Sequence, residues 1–429
     1  MKKVMLKTSL GLAVTLASTQ LFASGFALNE QSISGMGTGF AGRSSSADDA
    51  STVFGNPAGM SRLKREQVTV GGAAIIAKTD IKDGRGTFGG SNDGDMVPTV
   101  GVPMGFYVKP IDEHWAFGIG MYVPFGLVTD YENGFAGRYF GSKSEVQIVT
   151  LQPTISYAFN DKVSIGFGPT INRIDGTLES AALNRRSAVP GTNDGKVKIS
   201  GDDTAIGYNI GILVQATDST RVGLTYHSMV DYKLEGDTKI SGSGFGPFSG
   251  SKFDATLKIK TPESVDFSVT HELDANWTLY AGSTWTRWSR LEAITVNNEG
   301  VPALLNPSLG QISEEQNWHD TWAHAIGAAY KLNKEWTLRA GFSVDQAPTN
   351  NANRSPRIPT GDRKVFSLGA GWSPNDDMTI DVAYSYLMEE DVKINQRTSL
   401  SDPAHFKGSY SAKYENSAHG LGASLTYRF

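Results

Sequence analysis

The last ten residues of the chain alternate without a break. Leu421, Ala423, Leu425, Tyr427 and Phe429 fall on one face, and Gly420, Gly422, Ser424, Thr426 and Arg428 on the other. Apolar and polar side chains at period two specify a strand with two unlike faces. The pattern returns in Tyr208, Ile210, Ile212 and Val214 against Asn209, Gly211, Leu213 and Gln215. It returns again in TLYAGSTWTRW (278–288), FSLGAGW (366–372) and TIDVAYSYLM (379–388). Beyond Arg65 almost no helical periodicity interrupts it. The chain is therefore expected to be all-β.

Six short polar turns punctuate the strands and resemble one another. They are Asp112-Glu113-His114, Asn160-Asp161-Lys162, Asp218-Ser219-Thr220, Asp274-Ala275-Asn276, Asn333-Lys334-Glu335 and Asn375-Asp376-Asp377. Trp115, Trp277 and Trp336 follow three of them at once. Longer loops rich in Gly, Ser, Asn and Pro lie between. Short turns alternating with long loops are the pattern of an outer-membrane β-barrel, with the turns periplasmic and the tryptophans in an interfacial girdle. With both barrel ends periplasmic, six turns join seven hairpins, which predicts a transmembrane antiparallel barrel of about 14 strands. The turns stand roughly 42 to 59 residues apart, room for two long tilted strands and an outer loop. A mean hydropathy of -0.26 is no obstacle, because half of each strand faces the lumen. A secreted sandwich or a propeller does not explain six alike turns facing long loops.

The amino-terminal end reads as an export signal. Lys2, Lys3 and Lys7 precede the short apolar run LGLAVTL (10–16), and Leu21-Phe22-Ala23 ends in a small residue. The run is too short to span a bilayer, so residues 1–23 are expected to be a signal peptide cleaved after Ala23, with Gly25-Phe26-Ala27 as an alternative site. Loss of three lysines takes the formal charge from -5 to -8. A mildly acidic exported chain is a poor nucleic-acid binder. Without cysteine it has neither disulfides nor thiolate metal sites. No metal and no cofactor are expected.

Close behind lies Gly37-Thr38-Gly39-Phe40-Ala41-Gly42, which fits G-x-G-x-x-G. A nucleotide turn needs a strand before it and a helix after it, within a βαβ unit. Here a new amino terminus precedes it, and Ser44-Ser45-Ser46 and Asp48-Asp49 follow. The glycines are better read as allowing close backbone packing and positive φ in a segment that plugs a lumen. Asn56-Pro57-Ala58 reads as a turn. No G-x-S-x-G or H-E-x-x-H occurs, and His319 and His324, five apart, suit neither a helix-face nor a strand-face ligand pair. The chain is not expected to be an enzyme.

Several motifs together resemble the FadL family of long-chain fatty acid transporters. They are Ser24-Gly25-Phe26-Ala27-Leu28-Asn29-Glu30, then Ala47-Asp48-Asp49-Ala50 and Asn56-Pro57-Ala58, then Pro262-Glu263. Further on come Asn353-Arg354-Ser355 with Ile358-Pro359 and Asp362-Arg363, and Asp391-Val392-Lys393-Ile394-Asn395. The resemblance runs in order from Ser24 to Phe429. It implies a fourteen-stranded barrel (66–429) plugged by an amino-terminal hatch (24–65). Its implied cargo is hydrophobic, mostly long-chain fatty acids and in some branches aromatic hydrocarbons such as toluene. The alternative expected here is an uncharged aromatic hydrocarbon or an alkane. The resemblance implies hatch and gate roles for Phe26, Leu28, Asn29, Glu30, Asn56, Pro57 and Ala58.

The residues themselves add expectations about the route. Gly244-Phe245-Gly246-Pro247-Phe248 and Val301-Pro302-Ala303-Leu304-Leu305 are apolar where outer loops should be polar, so Phe245, Phe248, Leu304 and Leu305 are candidates for a capture groove. In the third strand Pro124 removes a ladder donor and Gly126 a side chain, so Pro124, Phe125 and Gly126 predict a bulge or kink. The resemblance makes that kink a gap in the wall. A carboxylate needs a basic partner in an apolar pocket. Where the family has an arginine this chain has Ser180, with Arg185 and Arg186 nearby, and where it has a lysine this chain has His319. The expected partners are the cargo, outer-membrane lipid or lipopolysaccharide, and the barrel-assembly machinery, which the aromatic Phe429 suits. The expected barrel is a monomer with no nucleic-acid partner. An open aqueous porin would need no hatch.

Overall fold

A computed structural model describes residues 25–185 and 187–429. The signal-peptide expectation, and Ser24 and Arg186, lie outside the described residues. The fold is a closed antiparallel barrel of 14 wall strands. In chain order these are β1 (Gln67–Gly86), β2 (Val100–Pro110), β3 (Trp115–Asp130), β4 (Lys143–Ala158), β5 (Val163–Ala182) and β6 (Gly195–Gln215). Four interrupted strands follow: β7 (Thr220–His227, Val230–Ser241), β8 (Lys252–Thr261, Ser264–Glu272), β9 (Trp277–Thr286, Ala293–Glu299) and β10 (Gln311–Glu315, Thr321–Lys331). The last four are β11 (Trp336–Asp345), β12 (Arg363–Trp372), β13 (Met378–Glu389, Val392–Arg397) and β14 (Ser409–Arg428). The β1–β14 ladder, from Gln67↔Arg428 to Gly86↔Tyr410, closes the ring.

All six predicted turns are the short connections between wall strands. In five of them the opening Asp or Asn folds its own turn. The Oδ1 of Asp112, Asn160, Asp274, Asn333 and Asn375 each accepts hydrogen bonds from the backbone N–H groups two and three residues on. That is the Asx turn, and it is why the turns look alike. The tryptophans that follow are outward-facing and packed on aromatic neighbours: Trp115 on Tyr157, Trp277 on Tyr330 and Trp336 on Trp372.

The alternation has the polarity of a membrane barrel. On β14 the apolar Leu421, Leu425 and Tyr427 are exposed, while Ser424 and Thr426 are buried. Apolar side chains turn outward to lipid and small polar ones inward. The inward face is covered by residues 25–66, which precede β1. Thr38 meets Gly327 and Gly341, Ser44 meets Gly223, Pro57 meets Gly166, and Ile33 meets Gly422. A single segment touching β5, β7, β10, β11 and β14 can only lie within the ring.

Candidate transport pathway

The lumen segment has little regular structure: a short helix Ile33–Gly37, another at Thr52–Gly55, and a 3-10 turn Pro57–Arg62. Its buried backbone carbonyls still need donors, and the wall supplies them. Gln152 Nε2 donates to Val53 O (2.7 Å), Asn209 Nδ2 to Phe54 O (2.9 Å), Thr225 Oγ1 to Gly55 O (2.9 Å) and Ser164 Oγ to Ala58 O (3.0 Å). Arg221 donates to Ser45 O and Ser46 O, both at 2.9 Å. Asn56 caps the 3-10 turn through Ala58 N (3.0 Å) and reaches Ser44 O and Ile212 O, while Pro57 takes the first helical position. Wall glycines make the fit possible: a Cβ on Gly223 would strike the Ser44 carbonyl.

The G-x-G-x-x-G stretch is the end of the first helix and the turn beyond it. Gly39 and Phe40 both have positive φ, 64° and 63°. Gly39 adopts this freely; Phe40 is strained by it. Phe40 N–H donates to Gly35 O at 2.8 Å. The turn presents Phe40 and Arg43 to a large interior cavity.

The third strand is irregular where Pro124 sits. The β3–β4 register shifts between Tyr122 and Phe125. On the other side, the β2–β3 ladder runs only from Pro110↔Ala116 to Gly105↔Met121. From Tyr122 outward β3 has no ladder with β2, although Asp130 N–H reaches Met96 O at 2.7 Å beyond the break. Residues 26–28 approach this break from the lumen. Leu28 N–H donates to Pro124 O and Gly126 N–H to Phe26 O, both at 2.8 Å, and Ala27 bridges Phe125. Gln31 Nε2 adds a bond to Val123 O at 2.6 Å.

Interruptions in β9 and β10 place Trp288 and Trp318 beside this contact. Phe26 lies 4.9 Å from Trp288, 5.7 Å from Phe125 and 6.1 Å from Trp318, centroid to centroid. The cavity alongside has about 1500 Å³ of atom-free space, and its walls include Leu28, Asn29, Glu30, Phe40, Arg43, Phe54, Pro124, Phe125, Val365 and Leu387. Burial raises the pKa of the Glu30 carboxyl above its usual range. A second, apolar cavity of about 540 Å³ lies between the inward faces of β4 to β9, walled by Val146, Ile174, Ile199, Leu234, Leu257 and Ile294. Ile174, Leu234 and Ile259 belong to one contiguous apolar cluster with Phe26, Leu28 and Trp288, so apolar contact connects the two cavities.

The expected site residues divide. Phe26 and Leu28 bond to Gly126 and Pro124 at the break, with Phe26 against Phe125, and Asn29 and Glu30 line the cavity beside it. Asn56, Pro57 and Ala58 lie among the wall contacts instead. Phe245, Phe248 and Leu305 pack on Val197, Ile240, Phe253 and Leu309 at the outer end, whereas Leu304 is exposed. Arg185 and His319 are exposed in loops and do not line the large cavity. Sequence reasoning missed Arg43, Phe40, Trp288 and Trp318. The charged residue directly after Gly42 was the available signal for the first.

Residues 14–429 match a family described as outer membrane protein transport protein (OMPP1/FadL/TodX). A long-chain fatty acid transport protein of Escherichia coli O6:H1 is 28% identical over 458 residues, covering 100% of this chain and 99% of the relative. Outer membrane protein P1 of Haemophilus influenzae is 28% identical over 466 residues, covering 98% of each. Among solved structures, a Pseudomonas aeruginosa FadL homologue superposes with a TM-score of 0.82 at 26% identity, over 94% of this chain and 100% of that one. The P. putida toluene transporter TodX shares the fold, with a TM-score of 0.67 at 20% identity over 89% of this chain and 94% of that one. A closed 14-stranded barrel with such relatives is a protein of the bacterial outer membrane. The chain belongs to the OMPP1/FadL/TodX family of outer membrane transport proteins.

Proposed function

We propose that the protein carries long-chain fatty acids passively across the outer membrane, with residues 24–65 acting as a hatch. Cargo leaves the lipopolysaccharide surface and enters the apolar cavity between β4 and β9. It then moves along contiguous apolar side chains to the large cavity beside Phe26. Withdrawal of residues 26–28 opens the break between β2 and β3, and cargo exits sideways into the bilayer. The barrel works as a monomer and supplies no energy. The observation that carries this reading is the bridge of Phe26 and Leu28 onto Pro124 and Gly126, where the wall ladder is broken. The long-chain fatty acid transport protein of E. coli O6:H1, which matches along the whole chain, supports the cargo class.

The test is labelled oleate uptake by cells that lack their own transporter. Gly126→Trp fills the break and blocks uptake while the barrel inserts normally. Deleting residues 26–30 changes uptake without unfolding the barrel. Normal uptake by an inserted Gly126→Trp protein would rule out lateral exit.

A second reading is uptake of uncharged aromatic hydrocarbons or alkanes. It is favoured by the second cavity, whose walls between β4 and β9 consist of apolar and small neutral side chains such as Ile174, Leu234, Ile259 and Thr256. Toluene and hexadecane as competitors in the same assay separate the two cargo classes.

A further inference from the structure

The large cavity is apolar over much of its wall, and its charged groups are mostly engaged. Arg363 pairs with Glu389 at 2.8 Å. Asp266 accepts from Thr284 and from Ser44. Asp266 and Asp345 stand on the wall strands β8 and β11. Burial raises the Glu30 carboxyl above its usual range and the nearby Arg43 charge opposes that shift, yet the two form no ion pair. Arg43 differs from all of these. Among the described residues it takes part in no ion pair, and its Nη2 donates to a neutral acceptor, Asn29 Oδ1, at 2.6 Å. Its guanidinium carbon lies 5.5 Å from the centroid of Phe40, which is held in strained backbone. Asn29 directly follows Leu28, whose N–H is bonded to Pro124 in the broken wall.

We infer that Arg43 receives the carboxylate of the cargo and is also the latch that holds residues 26–28 in the wall, so that docking of an anionic head group releases them. The inference rests on the fatty acid reading and deepens it. A guanidinium presents a planar fork that matches a carboxylate with two parallel bonds, and a charge-assisted bond is roughly twice as strong as a neutral one. An arriving carboxylate therefore displaces the Asn29 amide oxygen. With that bond lost, the stretch beside Asn29 keeps two backbone bonds to β3, the Gln31 bond and the packing of Phe26 and Leu28. An uncharged molecule can fill the same apolar space but has no group with which to take Arg43 from Asn29. Cargo charge is thus converted into opening, and the channel discriminates between molecules of equal apolar bulk.

The experiment compares oleate with methyl oleate, which has the same tail and no charge. Binding to the purified full-length protein is followed by tryptophan fluorescence, since Trp288 and Trp318 flank Phe26. Uptake is followed in cells. The wild type should prefer oleate by about tenfold or more, the worth of one charge-assisted pair. Arg43→Leu should abolish the preference and bind the two ligands alike, and Arg43→Lys should keep a reduced preference. Asn29→Leu removes the latch but not the receptor, so methyl oleate uptake should rise while the oleate preference in binding persists. Heat-dependent gel mobility checks that each barrel is folded. Should folded Arg43→Leu still prefer oleate, the head group binds elsewhere and the inference is overturned. Asn29→Leu with unchanged methyl oleate uptake would overturn the latch. A wild type that takes up neither ligand would instead defeat the transport reading itself.

Discussion

The two halves of the lumen segment are held in unlike ways. Residues 44–58 are fixed by five wall side chains that donate to six of their backbone carbonyls, each bond contributing about 1 kcal/mol net. Residues 25–31 are held by two backbone bonds to an irregular strand, by Gln31 and Arg43, and by the aromatic packing of Phe26. The first set is directional and matched to particular atoms, so nothing passing through can substitute for it. In the second, ring packing can be replaced by any apolar molecule and the Asn29 contact by any better acceptor. One half is suited to staying and the other to leaving.

The largest effect should come from Gly223→Val. The added side chain collides with the Ser44 carbonyl, and overpacking of about 3 kcal/mol should displace the fixed half. Thermal unfolding followed by gel mobility should fall by several degrees, and conductance to small ions should rise. Gln152→Ala should cost less, about 1 to 3 kcal/mol, because the Val53 carbonyl and the Tyr122 hydroxyl both lose their partner. The same gel assay reads it, with conductance unchanged. Phe26→Ala should cost the barrel least, even though large-to-small changes in a rigid core cost about 3 to 5 kcal/mol. If residues 25–31 detach as a unit, the loss is capped by the free energy of that detachment. Its signature is altered oleate uptake at an unchanged unfolding temperature. Should Phe26→Ala lower that temperature as far as Gly223→Val, the halves form one cooperative unit and the contrast between them is wrong.

The barrel was legible because its signals are local. Alternation is a property of neighbouring residues, and five Asx turns fold through bonds spanning two or three positions. Pro124 likewise marks the bulge within its own strand. The partners at the break were not legible, because Phe26 meets Trp288 and Trp318 across hundreds of residues and nothing in either sequence neighbourhood names the other. Arg43 was hidden for a related reason. Its meaning depends on the cavity it faces and on its bond to Asn29, and spacing does not record either. The inward glycines left a trace, since Gly327, Gly341 and Gly369 recur on the lumen faces of consecutive strands. Only the segment packed against them explains why side chains are missing there.

The break in the β2–β3 ladder also has a height. Trp115 marks the periplasmic edge of the apolar band, and Tyr122 and Phe125 follow it by seven and ten residues on β3. At about 3.3 Å per residue and a tilt of roughly 40°, they stand about 18 Å and 25 Å above that edge, in a band about 25 Å tall. The break in the ladder therefore lies at the height of the outer leaflet. On the lateral-exit proposal, a fatty acid released there has left the aqueous exterior but still has the inner leaflet to reach. That remaining step is the flip-flop of the acid in its protonated, uncharged form.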